Sequence, residues 1–159
     1  MSNNGQGTLP QIDFGPYRLS RLIAGANTIN GGSHLSRFVN IQMKRYFTPE
    51  QVQAFLRHCE DEGINTWQSG LGNIEAYEEH IDGGGDMHYV ALAHDQPDHP
   101  DMLERLVDGG AIGLAHHGEI TDIYWREGKM DKVKEYCKRI RDAGVMVGVS
   151  THIPDVVDH

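Results

Sequence analysis

Five short apolar runs alternate with helix-patterned segments along this chain, and that alternation constrains the fold more than any other feature. The runs are Leu22 to Ala26, "INTWQ", "MHYVALAH", "AIGLAHH" and "VMVGVSTH". Between them lie "TPEQVQAFLRHCEDEG", "IEAYEEHI", "HPDMLERLVDGG" and "KMDKVKEYCKRIRDAG". Short strands separated by amphipathic helices of this length predict βαβ units, a parallel sheet and right-handed crossovers. The start of the first helix-forming stretch is explicit: Thr48 caps, Pro49 fits the first helical position and Gln51 completes a capping box. Val52, Phe55, Leu56 and Cys59 then share one face, and the helix stops near Gly63.

Two architectures satisfy such a pattern, an open doubly wound sheet and part of a (β/α)₈ barrel. The glycine-rich stretch "GANTINGGSH" after the first run lacks the G-x-G-x-x-G spacing of a dinucleotide fingerprint and lies far from the next helix. The expected fold is therefore α/β, a parallel TIM-type barrel that is incomplete, with about five βα units where a full barrel takes about 250 residues. Residues 1–16 read as a flexible leader closing on Gly15-Pro16, and 17–159 as the N-terminal part of the barrel. Residues 153–159 read as the first turn of a further helix. A barrel opened in this way exposes strand edges and one core face, which predicts self-association through the open edge.

Composition narrows the partners. The net charge of −9 argues against nucleic acid and anionic membrane surfaces. No run approaches the roughly 20 apolar residues of a membrane span, and the polar start has no signal-peptide pattern, so a cytoplasmic location is expected. Cys59 and Cys137 fall in helical patterns and read as isolated buried thiols, in keeping with a reducing compartment. A small-molecule substrate is the partner that remains. The acidic run Glu60-Asp61-Glu62 reads as a solvated helix end, and Lys132, Lys134, Lys138, Arg139 and Arg141 as a solvated basic face.

Ten histidines are the sharper clue. In parallel α/β folds ligands meet the carboxyl ends of strands. Those positions here carry Asn27, Gln68, His94 with Asp95, His116 with His117 and Glu119, and His152. Any one of them alone reads as a satisfied polar residue; their recurrence at every strand end reads as a binding or catalytic mouth. His116, His117, His152 and Gln68 are the catalytic candidates, and Asn27, His94, Glu119 and Trp125 the substrate-binding ones. "DIYWREGKMD" reads as a surface loop, with Tyr124 and Trp125 either packed over the rim or serving as a stacking platform.

The stretches "YRLSRLIAGANT", "TPEQVQAFLRHCEDEGINTWQSG", "AIGLAHHGEITD" and "VGVSTHIPDVVD" resemble, in that order, successive strand and helix segments of the aldo/keto reductases. The resemblance spans most of residues 17–159, with Gly63-Ile64-Asn65 and Gly148-Val149-Ser150 as its strongest parts. It implies a TIM barrel and, by the family's habit, NADP-dependent carbonyl reduction by a tyrosine acid supported by lysine, aspartate and histidine. Here Gln68 stands at the aspartate position, "SGLGNIE" holds no tyrosine, Ala93-His94 stands where the lysine should be, and only the histidine is kept, as His116 or His117.

The expected function is thus a divergent enzyme of that fold acting on a small carbonyl or sugar-like substrate, the usual reductase residues being replaced. A metal-dependent isomerase, lyase or hydrolase of sugar-type substrates is the alternative, with His94, His116 and His152 as ligands to a divalent metal, since imidazole with carboxylate suits Zn²⁺, Mn²⁺ or Fe²⁺. A non-catalytic ligand-binding barrel is the third reading.

Overall fold

The computed structural model describes residues 9–158. The chain divides into two compact units: residues up to Trp67 with His80–His88, and Gln68–Glu79 with the residues from Tyr89 onward.

The first unit opens on an antiparallel hairpin, β1 (Gln11–Phe14) and β2 (Tyr17–Ser20), paired from Gln11↔Ser20 to Phe14↔Tyr17. The turn is Gly15-Pro16, and Gly15 takes φ +60°, which only glycine adopts without strain. Residues 11–14, expected within a flexible leader, are therefore paired strand; residues 1–8 lie outside the described part. The Asn65 side chain holds β2, accepting from the Ser20 N–H at 2.8 Å and donating to the Arg18 carbonyl at 2.8 Å. Leu22 to Ala26 does not form the expected first strand. Only Ala24 makes a parallel bridge, to Trp67; Ala24 and Ala26 are buried, while Leu22 and Ile23 stay exposed.

Helix α1 (Arg37–Tyr46) follows the glycine-rich stretch, where the sequence pattern predicts no helix. It is capped by Ser36, which accepts from the Val39 N–H, and it buries no residue. Helix α2 (Pro49–Asp61) starts where the sequence predicts, with Thr48 Oγ1 accepting from the Gln51 N–H at 3.4 Å. It buries Val52, Leu56 and Cys59 and ends before Gly63 at φ +83°. Glu60 departs from the solvated reading: its carboxylate accepts from the Asp86 N–H and stands 3.1 Å from the buried His80 Nε2, off the hydrogen-bonding direction.

Most of the parallel sheet lies in the second unit, with Thr66, Trp67 and His88 counted in the first. Strands β3 (Thr66–Gly70), β4 (His88–Ala93), β5 (Ala111–His116) and β6 (Met146–Val149) lie in sequential order, β3-β4-β5-β6. The sheet alternates with α3 (Ile74–Asp82), α4 (Met102–Asp108), α5 (Gly118–Arg126) and α6 (Met130–Asp142), and it does not close on itself. Period-two burial is clear along β4: Tyr89, Ala91 and Ala93 are fully buried, whereas Val90 and Leu92 are half-buried. Tyr89 stacks on Tyr77 at 4.7 Å and donates to the Gly70 carbonyl at 2.7 Å. Helix α6 buries Val133, Tyr136 and Ile140, spaced for one face, and contacts β5 and β6. Helix α5 occupies the stretch expected as a surface loop; Tyr124 and Trp125 are half-buried helical residues. After β6 a single 3₁₀ turn, Pro154–Val156, stands where a helix start was expected.

Cys59 and Cys137 are both free, and burial pushes both thiols up. No helix among the described residues is long and apolar enough to cross a membrane.

Candidate functional site

Strand register sets the geometry. Ala93 of β4 pairs with His116 of β5, which pairs with Val149 of β6, so the three carboxyl ends lie level. The ladder continues one step past them: the His117 N–H donates to the Ala93 carbonyl at 2.9 Å, and the Ser150 N–H to the His116 carbonyl at 3.0 Å. Because side chains alternate along a strand, His116 shares the face of the buried Ala93, and His94 and His117 belong to the opposite face.

His116 is only 1% exposed, packed edge-on to Tyr136 at 5.5 Å and tilted against Tyr124 at 6.0 Å. Its Nδ1 lies 2.7 Å from Thr121 Oγ1, and the Thr121 hydroxyl donates to the His117 carbonyl at 3.0 Å. A hydroxyl has one proton to give, so Thr121 accepts from His116, whose proton therefore sits on Nδ1. Burial above all, helped by His94, drives the imidazole pKa down to about 4. His116 is thus a neutral, satisfied core residue beneath α5 and α6, away from the mouth to which the sequence assigned it.

His94 and His117 face each other with ring centroids 5.4 Å apart. The Gln96 side-chain amide lies 3.2 Å from His94 Nε2, a contact that places the His94 proton on Nδ1 when Gln96 donates. Burial, and then the His117 ring, lower the His94 pKa. His117 Nδ1 is buried with no hydrogen-bond partner. Beside this pair, Asp95 takes a 2.6 Å contact from Arg139, whose guanidinium lies 5.1 Å above the Tyr136 ring. Arg139 is accordingly not part of a solvated basic face. The buried Tyr136 hydroxyl also lacks a partner, and burial pushes its pKa up to about 12.

His152 belongs to a separate arrangement. Its side chain is 70% exposed and its Nδ1 lies 2.8 Å from Oδ2 of Asp122, a side chain only 5% exposed. Asp122 also accepts from the Thr151 hydroxyl at 2.5 Å and from the His152 N–H at 3.2 Å. These bonds, the Thr151 hydroxyl first, hold the Asp122 carboxyl below its usual range. Nothing in the sequence singled out Asp122, which sits mid-helix in α5 and 30 residues from its partner.

The expected metal trio is therefore not assembled: His116 is committed to Thr121 and His152 to Asp122. Among the described residues no group of three His, Cys, Asp or Glu side chains is arranged to hold a metal ion. Of the basic residues of α6, Arg139 pairs with Asp95 and Lys138 with Asp142. Gln68 is exposed in the middle of β3 rather than at its end, and Asn27 is exposed in the first unit. Glu119 is exposed in the first turn of α5, and Trp125 lies half-buried further along that helix. The site reduces to the His94–His117 pair with Gln96, and to Asp122–His152. No family model, curated protein or solved structure matches this chain.

Proposed function

We propose that the parallel sheet is part of a TIM-type barrel and that the ends of β4, β5 and β6 form an acid–base site for a small carbonyl or sugar-like substrate. The observation that carries this reading is the facing pair His94 and His117, two imidazoles from adjacent strand ends with centroids 5.4 Å apart. Ligands of parallel α/β folds meet this end of the sheet. Burial and mutual repulsion keep His94 neutral near pH 7, the state in which an imidazole accepts a proton or a hydroxyl hydrogen bond. His117 Nδ1, buried and without a partner, is a polar atom for which a substrate oxygen supplies the missing contact. The aldo/keto reductase resemblance adds weight to the barrel, while Gln68 and His94 at the family's aspartate and lysine positions favour proton transfer over hydride chemistry.

The test is an NMR titration of the histidine ring resonances with a panel of small α-hydroxy carbonyls, aldoses and sugar phosphates. The reading expects saturable shifts at His94 and His117 that disappear in His94→Ala and in His117→Ala, with His116 little affected. A panel that moves neither ring at millimolar ligand sinks it.

A further inference from the structure

We infer that Asp122 is a positioning residue for His152, and that the two form a carboxylate–imidazole dyad whose free Nε2 takes a proton from substrate. The inference rests on the acid–base reading above and adds to it a second proton acceptor, at the end of β6.

Three features carry it. The first is contrast in exposure along a single contact: Asp122 is 5% exposed and His152 is 70% exposed, joined at 2.8 Å. A buried carboxylate bonded to one imidazole nitrogen fixes the tautomer, orients the ring and leaves the other nitrogen facing outward. The second is that Asp122 is itself held. The Thr151 hydroxyl and the His152 N–H both donate to it, so its oxygens are acceptors throughout and the His152 Nδ1 must be the donor in their contact. The third is Gly118. A Cβ at that position would stand 2.8 Å from Ser150 Oγ and 3.4 Å from His152 Cε1. The missing side chain therefore lets Ser150 and the His152 ring seat directly against the start of α5, which adds to the hold on the ring.

In the step itself, an O–H or an acidic C–H bond of the substrate breaks, its proton passes to His152 Nε2, and the bonding pair stays on the substrate. Nδ1 keeps its proton, donated to Asp122, whose charge stabilises the imidazolium until the proton is returned.

The plain alternative is that Asp122 only ties residues 151–152 to α5, with the ring a bystander. Two measurements on the free protein separate these. Long-range ¹⁵N–¹H NMR reads the His152 tautomer, and diethylpyrocarbonate, which attacks the unprotonated nitrogen, reads the reactivity of Nε2. The dyad expects the Nδ1–H tautomer in the native protein. It expects Asp122→Asn, whose amide can donate to Nδ1, to shift the tautomer toward Nε2–H and slow His152 modification roughly tenfold. Asp122→Glu should restore part of the rate. Thr151→Val, which loosens the loop without touching the Asp122–His152 contact, should leave the tautomer unchanged. An Nε2–H tautomer in the native protein overturns the inference, and does so even if Asp122→Asn fails to fold. Unchanged tautomer and rate in a folded Asp122→Asn overturn it equally. Neither readout needs a substrate, so a failed ligand panel with an intact dyad counts against the acid–base reading alone.

Discussion

His116 and His152 follow neighbouring parallel strands, yet their surroundings are opposite. His116 ends β5, is 1% exposed, and gives its Nδ1 proton to a threonine. His152 follows β6, has a side chain 70% exposed, and is bonded to a carboxylate. The neutral partner and deep burial make the first imidazole hard to charge, whereas the second has an anionic partner and open surroundings. Residue type and strand position are shared, so the difference lies in what α5 offers each ring: Thr121 to one and Asp122, its chain neighbour, to the other. Consecutive residues of one helix thus divide the two strand ends into a core end and an exposed end.

The largest effect that can break this contrast is on stability. His116→Ala removes a ring packed against Tyr124 and Tyr136 and leaves the Thr121 hydroxyl without its donor. A loss of about 3 kcal/mol is expected in urea unfolding. A loss below about 1 kcal/mol would place His116 outside the core.

Next comes the acid response. The His116 pKa falls from its ordinary 6.5 to about 4, so the unfolded chain binds more protons than the folded one between those values. The stability associated with this neutral ring is complete above pH 6.5 and is lost as pH falls toward 4, by about 3 kcal/mol at most. His94 is shifted the same way and adds to the slope. Asp122, lowered from 3.8, gives stability that is complete above that value and is lost only below it. Unfolding free energies measured from pH 7 to 4 should therefore fall in the native protein and fall much less in His116→Gln. Equal slopes would show that His116 charges freely.

The smallest expected effect is at His152. Its exposed ring contributes one contact to Asp122, and the backbone N–H contact survives substitution. His152→Ala should cost under about 1 kcal/mol and leave the thermal transition almost in place, while removing the rapid diethylpyrocarbonate reaction assigned to this ring. A cost comparable to that of His116→Ala would make His152 a structural tie.

The contrast was half legible in the sequence. Strand β4 and helices α2, α3, α4 and α6 announce themselves because each buries a face of matching period, as Val133, Tyr136 and Ile140 do in α6, whereas β5 reads as an apolar run buried almost throughout and β6 as a short apolar run. Helix α1 buries nothing, so its pattern has no packing counterpart. The β1–β2 hairpin has strands of only four residues, too short for alternation to stand out. In α5 the signal was present, since Ile120, Ile123 and Tyr124 recur at helical spacing, although residues 122–131 read as a surface loop. The choice between His116 and His117 was also available: Ile112, Leu114 and His116 share one parity along β5, which assigns His116 to the buried side. What no local pattern contained was Asp122, because its meaning depends on a loop far along the chain arriving beside α5.

One consequence follows from the place of β6 at an edge of the described sheet. Successive residues of a strand aim their amides to opposite sides, so the four amides of Met146–Val149 fall into two sets, one directed at β5 and one away from it. In deuterated solvent the first set should keep its protons far longer than the second, an odd–even record written along a single strand. The Ser150 amide, bonded to the His116 carbonyl, belongs with the slow set. Whatever comes to lie against the outer side of β6 would erase that alternation, so four amide signals suffice to report when this edge acquires a neighbour.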